Sequence, residues 1–233
     1  MPTSPAVSLD AFVFDAFGTL FDVGSVAAVA ESCVPGRGAE LARIWRAKQL
    51  EYTWLASLMR SPGYARPDFR SVTAMALDYA VAALVLPLDA DARAELATEY
   101  LRLAAYPDAR AALASLAPRP RWILSNGTRG MLDPLVESSG LADALDGVIS
   151  VDEADVYKPA PGVYALALDR LGVEPRSVAF VSANAWDAAG AQAFGFTAFW
   201  INRTGLPADR HAPAPAWVAG SLRDVAAIVE GID

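Results

Sequence analysis

Five short apolar segments recur along the 233-residue chain, separated by longer segments rich in Ala and Leu. Short apolar runs of this kind predict strands buried on both faces of a parallel sheet, and the longer segments predict helices. Their alternation predicts an α/β fold built on a doubly wound parallel sheet. The predicted strands are residues 11–14, 121–124, 147–151, 178–181 and 197–201, and the predicted helices between them include 107–116, 131–139, 161–171 and 185–194.

The alternation is interrupted between residues 22 and 105, where no strand pattern is clear and several helical segments follow one another. The longest helical segment covers residues 40–58. We therefore predict a catalytic core of residues 1–21 and 106–233, with an α-helical cap domain inserted at 22–105. The dipeptide Tyr106-Pro107 and the Pro-rich segment 207–215 predict linkers or loops.

Composition excludes several classes of protein. With 54% hydrophobic and 20% charged residues, the chain resembles neither a disordered nor a collagen-like nor a coiled-coil protein. The net charge of −8 disfavours a nucleic-acid partner, because a phosphate backbone would be repelled. Residues 180–201 are apolar but contain Asn184 and Asp187, so we predict no membrane span there. The N-terminal residues have neither the basic nor the apolar part of a signal peptide.

Cysteine and histidine each occur once in the chain, which limits the kinds of catalytic and metal site that it can form. The single cysteine, Cys33, cannot form an internal disulfide, which agrees with a reducing cytoplasm. The single histidine, His211, lies in the Pro-rich segment, away from the predicted strand ends, and we expect no catalytic role for it. A Ser-His-Asp hydrolase and a histidine-ligated metal site are both disfavoured.

Polar residues follow four of the predicted strands, at the edge where ligands bind in open α/β sheets. Asp15 follows the first strand, and the turn Ser125-Asn126-Gly127 follows the second. Lys158 comes after the third strand. The fourth is followed by the pattern S-x-N-x-x-D, formed by Ser182, Asn184 and Asp187. Convergence of four segments at one edge indicates a functional site.

The residue types at these positions suggest distinct chemical tasks. A lysine near Asp15 would keep that carboxylate ionised, and the Ser-Asn-Gly turn suits a carboxylate, phosphate or halide. Asp187 could activate a water or pair with Lys158. Structural alternatives remain open: Asp15 could cap a turn, Lys158 could be a solvated surface residue, and Asp187 could cap a helix.

Five segments together resemble the haloacid dehalogenase superfamily, and more closely its (S)-2-haloacid dehalogenase subfamily (L-2-haloacid dehalogenase, type II). Most superfamily members are Mg²⁺ phosphatases with a second aspartate where Phe17 stands here, so the resemblance implies neither a metal nor another cofactor. It also implies a Rossmann-like core and a homodimer. The segments are FVFDAFGTLFD, WRAKQLEYTWL, LSNG, ISVDEADVYKP and SANAWDAAGA.

The resemblance implies hydrolysis of a small (S)-2-haloalkanoate to an (R)-2-hydroxyacid and halide through an aspartyl ester. Asp15 would attack the halogen-bearing carbon, and Arg46 would receive the departing halide. Lys158 would stabilise ionised Asp15. Asp187, together with Asn184, would activate water for hydrolysis of the ester.

Further residues are assigned supporting tasks by the same resemblance. Arg46, Leu50 and Trp54 are spaced by four and would share one helix face. Ser125 would hold the substrate carboxylate, and Asn126 would share the halide contact. The remaining candidates are Thr19 as a supporting catalytic residue and Phe17, Leu50, Tyr164, Ser182 and Trp186 at the substrate.

The chain departs from the subfamily at Phe17, Ala47, Tyr157 and Ala183, where Tyr, Gln, Phe and Ser are frequent. These changes leave the predicted acid–base residues intact. Two other functions stay open on the sequence: a Mg²⁺-dependent small-molecule phosphatase of the same superfamily, and a catalytically silent binding module. Chain-length and halogen preference are open as well.

Overall fold

A six-stranded parallel sheet forms the centre of the computed structural model, which describes residues 8–210 and 212–232. The prediction for His211 lies outside the described residues. The strand order is β3-β2-β1-β4-β5-β6. The strands are β1 (Ala11–Phe14), β2 (Arg121–Ser125), β3 (Gly147–Ser150), β4 (Val178–Ser182), β5 (Thr197–Ile201) and β6 (Trp217–Ala219).

The two central strands, β1 and β4, consist of continuous apolar sequence, which favours burial on both faces of the sheet. All residues of β1 and β4 are buried, and the two strands pair in parallel with Phe14 opposite Val181. From β1 the chain proceeds outward to β2 and β3 on one side, and from β4 to β5 and β6 on the other. The carboxyl ends of β1 and β4 therefore flank the crevice where such sheets bind ligands.

Four helices fall within the interruption that follows β1: α1 (Gly24–Cys33), α2 (Gly38–Leu58), α3 (Phe69–Ala83) and α4 (Ala90–Glu99). The side chains of Asp68 and Asp89 cap α3 and α4 by accepting bonds from Ser71 N and Ala92 N. The later helices are α5 (Ala109–Ser115), α6 (Arg129–Ser138), α7 (Pro161–Leu171), α8 (Ala185–Phe194) and α9 (Leu222–Ile232).

The helical segment is attached to the sheet at its two ends. An isolated antiparallel bridge joins Phe21 to Ala105, and the nitrogen of Tyr106 donates to Leu20 O. Over the end of β1, Phe17 packs against Phe69 of α3 and against Tyr100, which directly follows α4. These contacts hold the helices above the carboxyl edge of the sheet.

The α/β class and the five predicted strands are confirmed, with small differences in extent. Val151 does not end β3 as predicted but begins a short 3₁₀ turn, Val151–Ala154. Strand β6 and helix α9 were not predicted. Strand β6 is only three residues long and has two exposed positions, so it lacks the apolar run that identified the others. None of the described helices is long and apolar enough to cross a membrane.

Candidate active site

The Asp15 carboxylate lies at the carboxyl end of β1 and is held by three donors. Its Oδ1 accepts a bond from Lys158 Nζ at 3.2 Å. Its Oδ2 accepts bonds from Thr19 Oγ1 and Asn184 Nδ2, each at 2.9 Å. These three hydrogen bonds fix the orientation of the side chain and of both carboxylate oxygens. The site is not fully closed, since 6% of Asp15 remains exposed.

The turn after β1 returns Thr19 to Asp15. Gly18 has a φ of +88°, a conformation that favours glycine over other residues. Thr19 Oγ1 then donates to Asp15 and accepts a bond from Ala183 N at 2.8 Å. The Thr19 hydroxyl therefore links the end of β1 to the segment that follows β4.

Lys158 reaches the site from the loop after β3 and is 1% exposed. Its ammonium also donates to Asp187 Oδ2 at 2.9 Å and lies 4.9 Å from the centre of the Phe180 ring. The Lys158 backbone nitrogen donates to Asn126 Oδ1 at 3.1 Å. Burial lowers the pKa of Lys158, but the Asp15 and Asp187 carboxylates outweigh burial and raise it, so the ammonium is charged.

Asp187 is fully buried in the first turn of α8. Its Oδ1 accepts a bond from the Tyr164 hydroxyl at 2.9 Å, and its Oδ2 accepts one from Ser182 Oγ at 3.0 Å in addition to that from Lys158. Burial raises the pKa of Asp187 to about 6, against the lowering effect of Lys158. Tyr164 and Ser182, predicted at the substrate, are both engaged by this carboxylate.

The Ser125-Asn126-Gly127 turn is fixed from both sides. Ser125 Oγ accepts a bond from Gly127 N at 3.1 Å, and Ser150 Oγ donates to Gly127 O at 2.8 Å. A Cβ atom at Gly127 would lie 2.8 Å from Phe17 Cε2, so only glycine fits beneath that ring. Asn126 contacts the Lys158 backbone, as described above. The turn is thereby a rigid wall of the crevice.

Arg46 enters the site from α2. Its Nη2 lies 3.4 Å from Asn184 Oδ1, and its Nη1 donates to Gln49 Oε1 at 2.6 Å. Gln49 in turn donates to Thr73 Oγ1 of α3 at 2.7 Å. Tyr100 interacts with both Arg46 and Gln49. Burial raises the pKa of the Tyr100 phenol, and these two neighbours act in the opposite direction by lowering it. The guanidinium is thus positioned by two helices.

Gln49 and Tyr100 are the site residues that the sequence analysis missed. Gln49 stands one helical turn after Arg46, on the buried side of α2, and a buried polar residue beside a predicted catalytic arginine is a usable signal. Tyr100 offers no comparable local signal, because it directly follows α4 and meets Arg46 only in the folded chain.

The predicted apolar residues take different positions. Phe17 is buried in aromatic contacts with Phe69, at 5.5 Å between ring centres, and with Tyr100, at 6.0 Å. Leu50 is half-buried on α2. Trp186 packs edge-to-face on Trp54, with the ring centres 5.6 Å apart.

The two carboxylates of the site do not fit a magnesium ion. The Lys158 ammonium bonds to one oxygen of Asp15 and one of Asp187, so a second cation at this position would be repelled. Within residues 8–210 and 212–232, no group of three or more His, Cys, Asp or Glu side chains could hold a metal ion.

Comparisons with known proteins agree with this geometry. The sequence profile described as haloacid dehalogenase-like hydrolase matches residues 9–195. An (S)-2-haloacid dehalogenase from Xanthobacter autotrophicus is 43% identical over 247 residues, which covers 96% of this chain and 96% of that protein.

Solved structures are similar over nearly the whole chain. The crystal structure of the L-2-haloacid dehalogenase RSc1362 superposes with a TM-score of 0.92 at 46% identity, covering 96% of this chain and 99% of that one. The X. autotrophicus L-2-haloacid dehalogenase with chloropropionic acid covalently bound has a TM-score of 0.88 at 43% identity. The covered shares there are 97% of this chain and all of the other.

Proposed function

This chain belongs to the haloacid dehalogenase-like hydrolase family, and we propose that it hydrolyses (S)-2-haloalkanoates to (R)-2-hydroxyalkanoates and halide. The observation that carries the proposal is the Asp15 carboxylate, which Lys158, Thr19 and Asn184 hold at the carboxyl end of β1. Relatives that share over 40% of the sequence are named for this activity, and one was solved with chloropropionic acid covalently bound.

In the first step an Asp15 oxygen attacks carbon 2 of the substrate from the side opposite the halogen. The new C–O bond forms as the carbon–halogen bond breaks, and the halide leaves with the bonding electron pair. Arg46 faces this departing charge, because it is the cation brought by α2 to the neighbourhood of Asn184. A single displacement inverts carbon 2, which accounts for an (R) product from an (S) substrate.

In the second step a water molecule attacks the carboxyl carbon of the Asp15 ester. The ester C–O bond breaks, the alcohol product leaves, and the oxygen of the water stays in the Asp15 carboxylate. One proton of the water goes to Asp187, which is linked to Asp15 through the Lys158 ammonium, and passes from there to the departing alkoxide oxygen. The second proton of the water is released to solvent, which restores the Asp15 carboxylate. The raised pKa of Asp187, about 6, suits a general base near neutral pH.

A single turnover in ¹⁸O-labelled water tests the ester directly. With enzyme in excess over 2-chloropropanoate, we expect the label in Asp15, located by peptide mass, and none in the first equivalent of 2-hydroxypropanoate. Label that enters the alcohol directly, with Asp15 unlabelled, would contradict the proposal. Because Asp15 is the proposed nucleophile, we expect Asp15→Asn to abolish turnover. Asp10→Asn, a substitution at an exposed position, serves as the control.

The effect of Mg²⁺ on activity distinguishes the proposed dehalogenase from the phosphatase alternative. Halide release is expected to be unchanged by EDTA, and p-nitrophenyl phosphate is expected to remain intact with or without Mg²⁺. A requirement for added Mg²⁺ together with phosphate release would favour the phosphatase. A protein that binds haloacids without releasing halide would favour the silent binding module.

We also propose that residues 22–105 act as a cap over a core of 1–21 and 106–233. The support is the position of the bridge between Phe21 and Ala105, which closes the ends of the segment. Within it, Arg46 supplies the halide-binding cation. Removing this charge by Arg46→Ala should slow chloride substrates more than bromide substrates, because chloride is the poorer leaving group.

The cap also offers a surface for the expected homodimer. Tyr52 of α2 contacts Tyr79 of α3, and about one helical turn from each lie Leu55 and Met75, which are 40% and 43% exposed. Leu58 continues this apolar face at the end of α2. We expect Leu55→Glu to yield monomers in light scattering, while Leu206→Glu, an exposed residue of the loop after β5, leaves the dimer unchanged.

The proposed compartment is the cytoplasm. The support is chemical: Cys33 is the only thiol of the chain and is half-buried, and burial together with Glu95 and Asp89 raises its pKa. A thiol of this kind needs no oxidising environment. Fractionation of the producing cell checks the proposal, and recovery outside the cytoplasm would contradict it.

A further inference from the structure

Arg203 lies two residues after β5, at a strand end that the sequence analysis did not consider. Its Nη1 donates to Asp108 Oδ2 at 3.2 Å, and its Nη2 donates to Thr19 O at 3.3 Å. The Arg203 Cζ atom lies 4.0 Å from the centre of the Tyr106 ring. The guanidinium therefore joins Thr19, in the turn after the nucleophile, to residues 106–108.

Both passages of the chain between the sheet and the helical segment 22–105 meet this guanidinium. Thr19 lies just before the chain enters the helical segment, and Tyr106 lies where the chain leaves it. The two passages also contact each other, because Tyr106 N donates to Leu20 O at 2.9 Å. One side chain from the end of β5 is thus in contact with both ends of the helical segment.

Thr19 connects Arg203 to the nucleophile. Its carbonyl oxygen accepts the bond from Arg203, and its hydroxyl donates to Asp15 Oδ2 at 2.9 Å. Gly18, with its φ of +88°, lets the chain turn here but does not restrict the turn by itself, because glycine adopts many backbone conformations. The position of the Thr19 hydroxyl therefore depends on contacts made from outside the turn, and Arg203 supplies one of them.

The ion pair of Arg203 with Asp108 suits the fixing of a position better than the stabilising of the fold. Asp108 Oδ2 accepts a second bond, from Leu222 N at 2.9 Å, which ties it to the start of α9. Its Oδ1 and the Arg203 Nε are buried and have no hydrogen-bond partner among the residues that the structure describes. A buried pair that is only partly satisfied contributes little stability.

We propose that Arg203 is a positioning residue of the reaction, which holds the Thr19 turn and, through the Thr19 hydroxyl, the Asp15 carboxylate. The inference rests on the proposed function. Among the described residues, Arg203 contacts neither the Ser125 turn nor Arg46, the groups assigned to the substrate carboxylate and the halide. Its loss should therefore lower kcat and leave KM nearly unchanged.

The chain offers a closely matched control for Arg203→Met, because Arg121 makes contacts of the same kind at the opposite edge of the sheet. Arg121 begins β2, pairs with Asp146 at 3.5 Å and donates to Leu113 O at 3.3 Å. The exposed fractions of the two arginine side chains are similar, 22% for Arg203 and 14% for Arg121. Arg121→Met therefore makes the same change in charge and burial without touching the Thr19 turn.

Steady-state bromide release from 2-bromopropanoate measures the effect on each folded variant. A misplacement of about 1 Å in an active site can cost about 100-fold in rate, and Asp15 keeps its bonds from Lys158 and Asn184, so we expect Arg203→Met to lower kcat roughly tenfold. KM should stay within about twofold, and Arg121→Met should retain both constants to within about twofold.

A double-mutant cycle with Thr19→Val shows whether Arg203 acts through the Thr19 hydroxyl. Valine keeps the shape of threonine and removes the hydroxyl, so Arg203→Met should lower kcat by less than about twofold in the Thr19→Val background. If Arg203→Met does not fold, Arg203→Lys takes its place in the cycle, because an ammonium cannot present the planar fork of a guanidinium.

The outcomes distinguish this inference from the proposed function. Equal kcat values for the Arg203→Met and Arg121→Met variants would overturn the positioning role and leave the function standing. The same loss of kcat with and without the Thr19 hydroxyl would also overturn it, as would a rise in KM at unchanged kcat. No bromide release by the unsubstituted protein would refute the proposed function itself.

Discussion

Lys158 is the residue whose removal should have the clearest double effect, on stability and on turnover. Its ammonium is buried between Asp15 and Asp187, at 3.2 and 2.9 Å. Methionine is the closest uncharged match in shape. The substitution Lys158→Met therefore leaves two facing carboxylates in the crevice without a cation, and it removes one of the three donors that hold Asp15.

The magnitude follows from these contacts. At an effective dielectric constant of about 20, two unit charges 3 Å apart attract each other by roughly 5 kcal/mol, and burial of the ions offsets much of this. Breaking a buried pair by removing one partner costs about 3–5 kcal/mol. For a chain of this length, we expect Lys158→Met to lower the melting temperature by roughly 6–20 °C.

The loss should depend on pH in a definite direction. In the unsubstituted protein the pKa of Asp187 is already raised to about 6 by burial, while Lys158 lowers it. Without the ammonium this pKa rises further above its unfolded value. A carboxyl group with a raised folded pKa contributes stability at low pH that is lost as the pH rises through that pKa. The deficit should therefore be smaller near pH 5 than near pH 8.

The chain supplies a matched control, because Lys48 is its only other lysine. Lys48 pairs with Glu51 on the surface of α2, so Lys48→Met makes the same change in net charge at a site where ion pairs contribute about 0–1 kcal/mol. Urea unfolding, followed by tryptophan fluorescence at both pH values, measures the difference. Equal losses for the two variants, or a pH-independent deficit in Lys158→Met, would refute the reasoning.

Three further predictions test other contacts. Because Asp187 has a pKa of about 6 and accepts a proton only when ionised, kcat should rise with pH through that value and then level off; a flat profile in constant-ionic-strength buffers would contradict this. Gln49→Ala removes the acceptor that positions Arg46, and should slow chloride release roughly tenfold, since a bond to a charged group contributes about 1.5 kcal/mol. Tyr157→Phe removes the hydroxyl bond to Pro67 O and should cost about 1 kcal/mol in urea unfolding while kcat changes little.

The sheet and the position of Asp15 at its carboxyl edge could be predicted because their signals are local. Each buried strand is a continuous apolar run, and Asp15 directly follows one of them. Strand β6 carries no such signal, since Trp217 and Val218 are exposed and the strand exists only through pairing with β5. Short edge strands are specified by their neighbours rather than by their own composition.

Residues that hold another side chain in position were harder to predict than residues that follow a strand and face the crevice. Asp187, Lys158 and Asn184 were identified as candidates from their positions after strands, and the structure brings them together. The partners that hold Arg46 were missed, because Gln49 bonds to Thr73 across two helices and neither residue follows a strand. Among the departures from the subfamily, the hydroxyl of Tyr157 has a partner, Pro67 O, whereas the structure gives no reason for Ala47, which is exposed.

The contact between the helices and the loop after β3 bears on the site. The Arg66 side chain, 7% exposed, bonds to Asp152 and Asp155 and lies 4.3 Å above the ring of Tyr157, the residue before Lys158. The loop that carries Lys158 is therefore bound to the helical segment that carries Arg46. Because this contact is one of those that join the helices to the loop after β3, a shift of the helices away from the sheet would draw Arg46 away from Asn184 and loosen the loop that carries Lys158. Both steps of the proposed reaction, displacement and ester hydrolysis, are then expected to be lost together rather than one at a time.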